Sequence, residues 1–168
     1  MGKAQSGLAR ADMAGVEPMT IADKVRTIAQ VRAAGPSSLQ LRWSDGTVAD
    51  LDLTMLLDDP AFAALRDPAE FCRVEVGDWG HSLAWPSGAE LGAEMLWLET
   101  LSATGHEDAR MFLEWRLRHA LSLSKAAEAL GVSRRMIAYY SNGEKNVPKP
   151  ILLACKGWEV SNGLYRAA

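Results

Sequence analysis

Residues 123–142 read Leu-Ser-Lys-Ala-Ala-Glu-Ala-Leu-Gly-Val-Ser-Arg-Arg-Met-Ile-Ala-Tyr-Tyr-Ser-Asn, and their spacing decides how the C-terminal part of the chain folds. Ala126, Ala127 and Leu130 recur at helical intervals and make the inner face of a first short helix. Ala127 is small at the point where a second helix has to cross. Gly131 comes next. Glycine takes positive φ with little steric penalty and so ends helices, and Val132 supplies the apolar contact that commonly accompanies such a stop. Ser133 is placed to N-cap the second helix. At about 100° per residue, Ile137 and Tyr140 then fall on one side of that helix, while Arg134, Arg135, Ala138, Tyr139 and Asn142 fan across the other. Two short helices at a tight turn, apolar inside and cationic outside, are what a helix-turn-helix requires.

That arrangement points to double-stranded DNA. A recognition helix enters the major groove with its N-terminal residues against base edges, and Arg134 and Arg135 occupy that first turn. Arginine pairs bidentately with guanine O6 and N7, each good pair giving roughly 1–3 kcal/mol of discrimination. Cations at a helix N-terminus oppose the helix dipole, a repulsion that a phosphate or base edge offsets.

Further residues carry a resemblance. Phe112, Trp115 and Arg116 have an apolar-x-x-apolar-Arg spacing, Leu121-Ser122 precedes the first short helix, and Asn142-Gly143-Glu144-Lys145 with Pro148 comes after the second. With Gly131-Val132-Ser133 between them, residues 112–158 resemble the lambda repressor/Cro-type (XRE-like) helix-turn-helix domain of bacterial and phage regulators. Two positions depart from that pattern: Leu123 stands where the family usually carries a phosphate-contacting Gln, and Ser141 where it often carries Glu. One phosphate contact of the family is therefore expected to be either missing here or replaced, with Ser122, Ser124 and Lys125 as the candidates. The expected DNA-contacting set is Ser122, Lys125, Ser133, Arg134, Arg135, Ala138, Tyr139, Asn142 and Lys145.

Charge divides the chain in the same way. From His106 to Ala168 there are ten Lys or Arg against six Asp or Glu, a net of +4; residues 1–105 hold eight against fifteen, a net of −7. Release of counter-ions from phosphate drives much of DNA binding, so the cationic part is the one expected at DNA. One such unit buries only about 600–1,000 Å² on DNA, which favours a homodimer reading two half-sites roughly 34 Å apart.

The expected fold class is α+β: a small antiparallel-sheet domain with one or two helices over residues 20–103, then an all-α domain over residues 104–168. The charge break and the Ser-Ala-Thr-Gly-His-Glu-Asp run at 102–108 mark the boundary. Residues 1–19, rich in Gly, Ala and charge without periodicity, read as a mobile tail. Val25, Ile28 and Val31 supply a β-branched stretch. Residues 38–43 alternate through Leu39, Leu41 and Trp43, and Ser44-Asp45-Gly46 forms a hairpin turn before Val48, Leu51 and Leu53. Residues 60–65 read as a short helix or turn, 71–76 as a strand, and 82–85 as its partner across Gly77-Asp78-Trp79-Gly80. Residues 90–101 read as a helix with Leu91, Met95, Leu98 and Leu101 on one face. Trp43, Trp79, Trp85 and Trp97 are expected in the core. Trp43-Ser44-Asp45-Gly46, Phe71, Trp79-Gly80 and Trp85-Pro86-Ser87-Gly88 resemble a bacterial family of small α+β domains of unknown function, sometimes fused to a helix-turn-helix. That resemblance implies a fold and brings no active site.

No catalytic or metal constellation is announced, so the expectation is a non-enzyme without cofactors. His81, His106 and His119 lack metal spacing. His81-Ser82 near Asp78 fits a turn as well as a triad, and His119 is expected to touch phosphate or solvent. Cys72 and Cys155, far apart, suggest buried thiols in a reducing cytoplasm. No run is long enough to span a bilayer, and no membrane partner is expected. Two functions fit: a transcriptional regulator whose acidic domain dimerises or senses a signal, with a protein or small-ligand partner there, or an interaction module such as an antitoxin that autoregulates through DNA binding.

Overall fold

The computed structural model describes residues 26–164, so the tail at 1–19 and Val25 lie outside the described residues. Strands β1 (Ile28–Ala33), β2 (Ser38–Trp43) and β3 (Val48–Asp52) form an antiparallel meander. Alternation along β2 sends Leu39, Leu41 and Trp43 inward to join Ala49 and Leu51 of β3. Each such large side chain contributes roughly 1.5–3 kcal/mol through burial. The opposite face is polar. Gln30 stands across from Arg42, Arg32 from Gln40, and Gln40 from Asp50. At the β2–β3 turn, Gly46 N donates to Trp43 O at 2.9 Å and Thr47 N to Asp45 Oδ1 at 2.9 Å, as the Ser-Asp-Gly signal predicts.

A short helix α1 (Thr54–Leu57) and a 3₁₀ segment (Pro60–Arg66) lead into α2 (Pro68–Phe71). Here the structure corrects the strand expected over 71–76. Asp67 accepts from Ala69 N and Pro68 stands at the first helical position, so Phe71 closes a helical turn, and only β4 (Glu75–Val76) is extended. A 3₁₀ turn (Asp78–Gly80) carries the chain to β5 (Ser82–Ala84), which pairs with β4 and with β6 (Glu90–Gly92). Residues 90–92 were expected to begin a helix; pairing of Leu91 with Leu83 takes them into the second sheet instead. Gly80 has φ +74°, and a Cβ on it would stand 2.5 Å from Ile28 O, so glycine lets this turn press against the start of β1. Trp79 breaks the expectation of a core residue: it is 89% exposed with φ 57°.

Helix α3 (Ala93–Ala103) buries Leu96, Trp97, Leu98, Thr100 and Leu101, while Met95 is exposed. Burial on nearly all sides suits a helix packed between the first sheet and α4 (Glu107–Arg118). Trp43 Nε1 donates to Thr100 Oγ1 at 3.0 Å, and Thr100 Oγ1 donates to Leu96 O at 2.8 Å, so these buried polar groups are satisfied. Helices α5 (Leu123–Leu130), α6 (Arg134–Ser141) and α7 (Lys149–Ser161) complete the α+β fold. The buried cluster runs continuously from Ile28 to Cys155. Cys72, expected to be buried, is exposed; Cys155 is buried, which pushes its thiol pKa up to about 12. No described helix is long and apolar enough to cross a membrane.

Candidate nucleic-acid interface

Local chemistry sets both short helices. Ser122 caps α5 by accepting from Lys125 N at 3.2 Å. Gly131 ends it in the left-handed region at φ 67°, and Val132 N donates to Ala127 O at 3.1 Å. Ser133 then caps α6, accepting from Met136 N at 3.2 Å. Ala126 is fully buried, whereas Ala127, expected at the crossing, is half-buried. Ile137 and Tyr140 face inward as their spacing predicts.

The expected site residues separate into three groups. Arg135 Nε donates to Tyr139 Oη at 2.7 Å, and its guanidinium carbon lies 5.3 Å from the Tyr139 ring centroid; Lys145 Nζ lies 5.0 Å from the same centroid. Two cations thus converge on one half-buried phenol. Asn142 lies on the same arc of α6, since residues 135, 139 and 142 fall within about 60° of one another at 100° per residue. Ser133 and Arg134 are exposed at the α6 N-terminus, and Ser122 and Lys125 are exposed at the start of α5. Ala138 is a correction: it is 1% exposed and cannot touch a ligand. The buried arc of α6 spans Ile137, Ala138, Tyr140 and Ser141, wider than the stripe of Ile137 and Tyr140 read from spacing.

Residues outside the expected contact set hold α6 and the entry to α5 in place. Trp97 Nε1 donates to Ser141 O at 3.2 Å, stacks edge-on against Trp43 at 5.0 Å, and carries the Arg26 guanidinium 3.5 Å above its ring. Arg26 also pairs with Asp45 at 2.9 Å. Burial lowers its pKa, with Asp45 and Glu144 opposing that shift. Asp108 accepts from Val147 N, fixing the segment after α6. Arg116 Nη1 donates to Leu121 O at 3.0 Å and braces the entry to α5. His119, expected at phosphate or solvent, instead meets Glu159 at 2.7 Å between Trp115 and Trp158. No sequence signal marks Arg26, and the core position expected of Trp97 does not reveal its contact with α6, because both sets of partners lie far along the chain.

Among the described residues no group of three or more His, Cys, Asp or Glu could hold a metal ion. His81 is exposed, and Ser82 is buried with its Oγ packed where a Cβ on Gly77 would stand.

Residues 28–100 match the family described as protein of unknown function (DUF2442). No curated protein matches the chain. The crystal structure of "Putative DNA Binding Protein" from Nitrosomonas europaea is similar over 82% of this chain and 89% of that chain, at 36% identity and a TM-score of 0.61. With that identity over nearly the whole relative, the chain belongs to the family of the Nitrosomonas protein.

Proposed function

We propose that this protein binds double-stranded DNA sequence-specifically as a bacterial transcriptional regulator, with α5 and α6 as an XRE-like helix-turn-helix. The observation that carries the reading is the outward arc of α6, where Arg135 and Tyr139, joined by Lys145 from the segment that follows the helix, form one cationic cluster while the other side of the helix is locked into the core. The name of the Nitrosomonas relative and the net positive charge of residues 106–168 point the same way. In this reading Arg134 and Arg135 meet base edges. Ser122, Lys125, Ser133 and Lys145 meet phosphates, which position the helix without reading sequence.

The active form is a homodimer. Leu153 and Val160 on α7, and Leu164 just beyond its end, are each more than half exposed along one stripe, with Gly157 between them and open space around it. An apolar stripe of this kind supports a self-complementary contact. Selection of binding sites from random duplex DNA by the full chain tests the proposal: a recovered palindrome with half-sites about one helical turn apart is expected. Recovery of no preferred sequence, with binding equal on all duplexes, overturns it.

A protein-interaction module of the antitoxin type is the second reading, and Trp79 favours it. A nearly fully exposed tryptophan in left-handed backbone is the residue type that dominates protein contacts. Under that reading Trp79→Ala abolishes toxin neutralisation and leaves operator binding intact.

A further inference from the structure

The polar face of the first sheet takes no part in the proposed DNA interface. Together with β4 it forms an open groove of about 640 Å³, within the size range of small-molecule sites. Its floor carries a relay: Arg32 Nε donates to Gln40 Oε1 at 2.9 Å, and Gln40 Nε2 donates to Asp50 Oδ1 at 2.7 Å. Asp50 thus orients Gln40 with its oxygen toward Arg32. Gln40 in turn fixes the plane of the guanidinium through Nε, leaving both terminal nitrogens uncommitted among the described residues. A forked donor held in this way suits a carboxylate, because little freedom is lost when the second partner arrives.

Two more charges are waiting in the same groove. Arg42, two residues beyond Gln40 on β2 and so on the same face, has no polar partner among the described residues, and neither has Glu75 on the β4 wall. Val48, Val74 and Val76 supply apolar surface beside them.

We propose that this groove binds a small apolar zwitterion of the amino-acid type, with its carboxylate on Arg32 and Arg42, its ammonium on Glu75, and its hydrocarbon part on Val48, Val74 and Val76. With Asp50 engaged by Gln40, the two arginines and Glu75 match that charge pattern; a simple cation would meet both arginines, and a dianion would meet Glu75. A free amino acid and the end of a short peptide share this chemistry. The site is independent of the DNA reading and stands or falls separately from it.

Isothermal titration of the full chain with four probes tests the proposal: leucine, 4-methylpentanoate (the same skeleton without the ammonium), 3-methylbutylamine (without the carboxylate) and leucyl-leucine. Leucine is expected to bind more tightly than 4-methylpentanoate, and the amine least of all. Arg32→Gln and Arg42→Gln are each expected to weaken leucine about tenfold, the size of one lost charge-assisted contact. Glu75→Gln is expected to erase the preference for leucine over 4-methylpentanoate. All three substitutions are at exposed positions, and unchanged circular dichroism confirms that each variant is folded. Tighter binding of leucyl-leucine than of leucine supports the groove and assigns it to peptides; the reverse order assigns it to free amino acids. Binding of the amine as tightly as the acid, wild-type affinity in both arginine variants, or no heat from any probe overturns the proposal.

Discussion

The two halves of this molecule bury comparable apolar side chains but present opposite surfaces. In the N-terminal half a meander turns Leu39, Leu41, Trp43 and Leu51 inward and leaves an outer face of paired polar residues within an acidic region. In the C-terminal half, helices bury Phe112, Leu113, Ala126, Ile137 and Tyr140 and leave cations outside. The difference teaches what kind of surface each half can offer a partner. A sheet face offers a fixed grid of cross-strand partners, suited to holding a small molecule. A short capped helix offers one projecting arc, suited to a groove. The seam between them is Trp97, whose ring lies under Arg26 and whose Nε1 holds the last turn of α6.

The largest effect is expected at that seam. Trp97→Ala should destabilise the protein by about 3–5 kcal/mol in denaturant unfolding, the usual cost of emptying a buried tryptophan site. If the seam couples the halves, far-UV and aromatic signals will shift together; separate transitions would show two independently stable units. Next is Ala126→Leu, which should overpack the contact between α5 and α6 and cost about 1–3 kcal/mol. Ala127→Leu, at a half-buried position, should cost less, and a reversal of that order would put the tighter contact at Ala127.

Smaller effects sharpen the contrast at the surface. Arg135→Ala should lower specific DNA affinity by about 1–3 kcal/mol and relax one base position in a gel-shift series. Lys145→Ala should weaken all sequences alike and reduce the salt slope by about one. Smallest is the alkaline limb of stability. Burial raises the folded-state pKa of Cys155, so its contribution is complete below the ordinary thiol range and is lost as pH rises towards about 12. Cys155→Ala should flatten the fall of stability above pH ~9. A thiol reagent should label exposed Cys72 in the native protein and reach Cys155 only on unfolding.

What could be read from sequence was local. Alternation through Leu39, Leu41 and Trp43, the Asp45-Gly46 turn, the Gly131 stop and the Ser133 cap each depend on neighbours within a few residues, and each is present in the structure. What could not be read depends on distant partners. Residues 90–92 become a strand only because Leu83 lies beside Leu91. Ala138 is buried because the arc of α6 covered by the core is wider than two residues can reveal. His119 finds Glu159 forty positions away, and the groove on the outer sheet face exists only once β4 stands beside it.

Trp79 turns the protein into its own optical probe. Trp43, Trp85, Trp97 and Trp115 are enclosed, whereas the Trp79 indole projects into solvent. Its fluorescence should therefore be the most red-shifted and most iodide-quenchable part of the native emission, ahead of half-buried Trp158. Any molecule that settles over the turn between β4 and β5 will shield that part first, reporting its arrival without a label.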